Sequence, residues 1–180
     1  MRLQDITNKN VNLRVQYLSL IGHMANIDGK FDKTEKTLLK KMTTRFKLSE
    51  RDKEQIFQTK EFSEKQIKSM FNDLKENCLH YSFILDLIAM ATADGVILES
   101  ERLMLSHISR LIGLKHEEFH NLINFAQATS NLTDDNHNDP MFQYVIEMFF
   151  KWARKKNVKL FKQTTFAIND KVDKRLKSDL

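Results

Sequence analysis

The residues of this chain that could do chemistry come in two matched sets. Asp28-Gly29 is followed six residues on by Glu35, and Asp94-Gly95 by Glu101, at an offset of 66 residues. Carboxylates gathered at one turn repel each other and become comfortable when a hard divalent cation takes their oxygens. The candidate metal ligands are therefore Asp28, Glu35, Asp94 and Glu101, with Asp32 and Glu99 able to add oxygens from non-equivalent positions. Calcium, magnesium or manganese suits such a donor set. From Asn26 to Glu35 the string also follows most of a calcium-binding EF-hand loop. Met24 stands where the anchoring first ligand belongs, however, and Met90, Thr92 and Leu98 break the second copy further. A purely structural corner accounts for the same residues: the glycine turns the chain out of a helix, the aspartate accepts exposed amide hydrogens, and the glutamate caps the next helix. Asp32 with Glu35 spells a capping box outright.

Two other patterns carry possible chemistry. His116-Glu117-Glu118-Phe119-His120 fits the His-Glu-x-x-His motif of zinc proteases, in which two imidazoles one turn apart bind the metal and the glutamate activates water. The repeat register sets it opposite Glu50 to Glu54, at the exposed start of a helix, whereas a protease needs the pair in mid-helix with a third ligand, and only His137 or Glu147 follow. No catalytic residue is assigned, and the chain is expected not to be an enzyme. Cys78, the lone cysteine, excludes an intramolecular disulfide or a cysteine-rich zinc site and reads as a packing residue. The second pattern is charge. The chain carries +5, yet residues 151 to 180 hold ten Lys or Arg against three Asp, so the basic character belongs to the tail. There Lys151, Arg154, Lys155, Lys156, Lys159 and Lys162 surround Trp152, Leu160 and Phe161, a mixture suited to anionic lipid heads or nucleic-acid phosphates if it is more than a solvated face. Without a recognition signature nucleic acid is the less favoured of the two.

Positioning these groups falls to helices. Only four glycines and one proline accompany 41% hydrophobic residues, and the apolar spacing is helical almost throughout. No apolar run approaches a membrane span and the first residues lack a secretory core, which predicts a soluble cytoplasmic protein. The repeat extends well beyond the corners. Leu18 to Phe57 matches Ile84 to Ile123, pairing Ile21 with Leu87, Met24 with Met90, Leu39 with Leu105, Met42 with Ile108, Phe46 with Ile112 and Leu48 with Leu114. The expected architecture is an all-α bundle of about seven helices built from two pseudo-symmetric halves, plus a C-terminal helical extension. A polar run from Thr129 to Asp139 marks the boundary, giving a helical domain over 1–128 and a linker with the basic extension over 129–180. In the extension Phe142, Val145, Met148, Phe149 and Trp152 share one face, and Phe161, Ile168, Val172 and Leu176 outline a last helix.

The duplicated motif resembles that of the TerB-like family, the tellurite-resistance-associated helical domain also found at the front of DjlA-type J-domain co-chaperones. In that family Ala-Asp-Gly-x-Ile-x-x-x-Glu occurs once per half of a helical bundle. Ala93-Asp94-Gly95-Val96-Ile97-Leu98-Glu99-Ser100-Glu101 matches it closely, while the first copy keeps Asp28, Gly29, Phe31 and Glu35 but has Ile27 for the alanine. The resemblance covers about residues 12 to 127 and implies an all-α fold without catalytic machinery, an association with stress responses, metal binding by the acidic positions, and protein partners at the membrane. The basic tail lies outside it.

Overall fold

Helix starts are written into the chain as caps. In the computed structural model, which describes residues 2–27, 31–58, 61–92, 97–130 and 139–163 (the side chains of Arg2 and Ser130 excepted), Asn10 accepts from the Leu13 amide and opens α1, Val11–Ala25. Reciprocal capping boxes at Asp32, Ser49 and Ser63 open α2 (Lys33–Arg45), α3 (Glu50–Phe57) and α4 (Glu64–Glu76). Then come α5 (His80–Ala91), α6 (Glu99–Leu111), α7 (His116–Ser130) and α8 (Pro140–Lys155), the last with Pro140 in its first turn and Asp139 as cap. Two short strands, β1 (Arg2–Gln4) and β2 (Lys159–Phe161), complete the described elements. The fold is an all-α bundle, as its sequence implies.

The repeat holds in the backbone as well as in the residues. α2 and α6 occupy the same register, and α3 and α7 begin at equivalent positions. Glu35 Oε2 accepts the Asp32 amide at 2.8 Å, and Glu101 Oε2 accepts the Leu98 amide at 2.7 Å. At the far ends the Leu48 amide reaches Thr43 O at 3.3 Å and the Leu114 amide reaches Ser109 O at 2.9 Å. Both closures pass through a left-handed residue, Lys47 at φ 50° and its counterpart Gly113 at φ 88°. One difference is that Leu98 has no side-chain acceptor, so the second capping box is half of the first.

Around these frames α1 and α5 form the centre, each buried over most of its circumference. Tyr17 and its repeat counterpart Phe83 meet edge to face there, ring centres 5.5 Å apart. The paired apolar positions Ile21 and Leu87, Met24 and Met90, Leu39 and Leu105, and Phe46 and Ile112 are all buried.

The C-terminal part carries the expected helix, α8, and differs from expectation in its buried face and in the strand that follows. α8 packs on α7 with Phe149 stacked on Phe125 at 3.8 Å, and Trp152, Leu160 and Phe161 join the same hydrophobic cluster as the repeats. Its buried face is Ile146, Phe149, Phe150, Trp152 and Ala153, rotated from the predicted one, and Met148 is 43% exposed. Phe161 lies in a strand rather than a helix: β2 pairs in parallel with β1, Leu160 opposite Leu3, and the Phe161 amide donates to Ser82 Oγ at 3.0 Å. Strands of three residues are too short to show a period of two. α7 also runs into the polar stretch that marks the expected boundary, continuing through Thr129 and Ser130. Ile168, Val172 and Leu176 lie outside the described residues, as does the linker from 131 to 138.

Candidate functional site

The acidic corners fall in the segments between α1 and α2 and between α5 and α6. Asp28, Gly29, Asp94 and Gly95, the centres of the two motifs, lie outside the described residues. The flanking acids are described. Asp32 Oδ1 accepts the Glu35 amide at 2.7 Å while Glu35 reaches back to Asp32, and Glu101 does the same for Leu98. Glu99 is exposed in the first turn of α6, where its charge favours the positive helix end. Among the described residues, no three His, Cys, Asp or Glu side chains gather into a metal-binding group.

A feature the sequence reading missed is a cleft of about 410 Å³ between α1, α3 and α4. Asn12, Gln16 and Ser19 of α1 form one wall, Asp52 and Gln55 of α3 another, and Gln66 and Ser69 of α4 a third, over an apolar floor of Val15, Phe62 and Met70. Part of this lining is committed to the fold: Gln16 donates to Asp73 at 2.8 Å, Asp52 caps α3 with Ser49, and Gln66 caps α4 with Ser63. Asn12, Ser19, Gln55 and Ser69 make no side-chain hydrogen bond among the described residues. The sequence carries only the α1 wall of the cleft, since Asn12, Gln16, Ser19 and His23 recur at helical spacing on a helix whose other residues, Arg14 apart, are apolar or glycine. His23 packs against Phe62, and burial lowers its imidazole from the ordinary value against the opposing pull of Glu61.

Several buried polar groups elsewhere are paired, whereas Arg14 Nε, His80 Nδ1 and Trp152 Nε1 have no hydrogen-bond partner among the described residues. Tyr17 donates to Asp86 at 2.6 Å with both residues fully buried, and burial, followed by the carboxylate charge and the hydrogen bond, pushes the phenol well above its usual range. Arg14 Nη1 donates to Phe46 O at 2.5 Å and Lys47 O at 3.3 Å, placing a cation at the negative end of α2. Tyr81 donates to Glu118 at 3.0 Å, and Glu118 also accepts the Lys115 amide. The histidines of the protease-like motif sit at the start of α7, His116 exposed.

Of the basic set, Lys151, Arg154, Lys155, Lys156 and Lys162 are exposed, whereas half-buried Lys159 turns its ammonium to Cys78 Sγ at 3.6 Å. Along α8, Met141, Tyr144 and Met148 are exposed on the stripe that continues into Lys151 and Lys155.

Comparison with known families gives one match, the family described as tellurite resistance protein TerB, over residues 14–124. No curated protein and no solved structure matches the chain. The matched span takes in both halves of the repeat, from α1 into α7, and since it covers most of the sequence the chain belongs to the TerB family.

Proposed function

We propose that this TerB-family chain is a non-enzymatic binding module whose α1–α3–α4 cleft takes a segment of a protein partner. The observation that carries the reading is the cleft itself, because its unspent lining of amides and hydroxyls over an apolar floor suits peptide N–H and C=O groups better than it suits bond-breaking chemistry. The duplicated corners supply the regulation. A divalent cation held by Asp28 and Glu35, or by Asp94 and Glu101, with Asp32 or Glu99 adding oxygens, would fix the angle between the helices that meet at that corner. α1 is both an arm of the first corner and a wall of the cleft, so fixing its angle biases the partner surface.

Glutamine serves as well as glutamate in a capping box but is a poor ligand for a hard cation. Glu35→Gln with Glu101→Gln should therefore leave the melting temperature within a degree or two and abolish the calorimetric heat of manganese or calcium binding. Wild-type protein that gives no heat with calcium, magnesium or manganese would leave the corners structural. Gln55→Ala with Ser69→Ala should weaken capture of the partner without changing stability.

The exposed stripe of Met141, Tyr144 and Met148 running into Lys151 and Lys155 supports a second reading, contact with an anionic membrane surface. Salt-sensitive sedimentation with phosphatidylserine vesicles, lost on Lys151→Glu with Lys155→Glu, is its test; retention on DNA instead would shift the tail to nucleic acid.

A further inference from the structure

His116 and His120 present their Nε2 atoms to each other at 3.0 Å, with ring centres 4.4 Å apart and ring planes at 85°. The pair lies on the first turns of α7, His116 exposed and His120 half-exposed, and neither the corners nor the cleft uses it. Residues four apart are neighbours on a helix face, and two neutral imidazoles this close need one ring to donate its hydrogen and the other to accept it. A metal ion can take the place of that hydrogen. Metal–nitrogen bonds of about 2.0–2.1 Å set at tetrahedral or square angles put two nitrogens roughly 2.9–3.4 Å apart. The observed separation falls inside that range.

We infer that His116 and His120 form a two-imidazole chelate for a borderline transition-metal cation such as Cu²⁺, Ni²⁺ or Zn²⁺, with water filling the remaining positions. Nitrogen donors select this class over calcium and magnesium, so the site is chemically distinct from the acidic corners and independent of the reading given to them. Glu118 is engaged by the Lys115 amide and Tyr81, and Glu117 is exposed on the same turn, so the facing imidazoles are the paired nitrogen donors here. The positive end of α7 disfavours a cation, and the charges of Glu117 and Glu118 in the same turn offset it. With two protein ligands the ion is exchangeable, in contrast to a closed four-ligand structural site.

Titrating the full chain with copper and nickel chloride should show one ion per chain, copper tighter than nickel. The copper form should give an electron paramagnetic resonance spectrum with nitrogen hyperfine structure. His116→Gln and His120→Gln should each lower the affinity at least tenfold, with far-UV circular dichroism unchanged because both rings are at the surface. An absence of binding at one equivalent overturns the inference, as does an affinity that both variants leave unchanged, since the ion would then sit elsewhere.

Discussion

Tyr17 and Asp86 show how much of the residue-scale design depends on partners far apart in sequence. Asp86 occupies the repeat position of Leu20, a buried apolar residue, and is itself fully buried. An acid on an apolar stripe does not name its hydrogen-bond donor in the sequence, and Tyr17 lies 69 residues away. Removing that hydroxyl takes one donor away from a buried carboxylate, so Tyr17→Phe should lower unfolding free energy by about 1–3 kcal/mol in urea titrations. The phenol's raised pKa adds a pH signature. Its stabilising contribution is fully present below pH 10 and is lost as pH rises through the higher folded-state value, so the alkaline decline of wild-type stability should be shallower in the variant. Lys47 and Gly113 make the complementary case, the same left-handed position filled by two residue types. Glycine adopts that angle without strain, so Lys47→Gly should raise stability by about 0.5–1 kcal/mol and Gly113→Ala should lower it by a similar amount, both read as shifts in melting temperature. The glycine itself marks Gly113 as a helix stop in the sequence, whereas the side chain of Lys47 at the matching position gives no hint of a positive φ.

At the scale of elements, the caps were the most legible part of the chain. Ser49 with Asp52, Ser63 with Gln66 and Asp32 with Glu35 are spaced as capping boxes in the sequence and are bonded as such. Their chemistry is local, which is why a single stretch of residues suffices to read them. The same locality creates the ambiguity of the acidic corners, since a glutamate in the first turn satisfies an amide and offers oxygens to an ion from one position. Asp32→Ala separates the two roles in part: it should cost about 1 kcal/mol with no metal present, measured by thermal melts in chelator. The cleft was not read because it belongs to three helices at once. Each contributes a few unremarkable amides or hydroxyls, and only packing brings Asn12, Gln55 and Ser69 around one space.

At the scale of the molecule, residues 151–163 of the basic end belong to the core, and that changes how their charge must be tested. Residues 151–163 contribute Trp152, Val158, Leu160 and Phe161 to the hydrophobic cluster, and β2 ties them to β1 at the other end of the chain. The charges and these buried side chains alternate closely, so composition registered the lysines while the contacts that fix the segment stayed out of reach. Deleting the region from Lys151 would take Trp152 from Phe149 and Tyr81 and the strand partner from Leu3 together with the charge, and a loss of binding would then report unfolding. Leu160→Ala isolates the structural part. Leu160 is fully buried between the strand pair and the core, and truncating it should cost about 2–5 kcal/mol, visible as a lower urea midpoint with an unchanged slope. Reversing the exposed Lys151 and Lys155 instead should leave the fold intact apart from a loss of about 0.3–1 kcal/mol at the negative end of α8. Any change in vesicle or nucleic-acid binding in that variant then belongs to the surface. If Leu160→Ala proved as stable as wild type, the strand pair would be incidental and the basic segment would again be separable from the bundle.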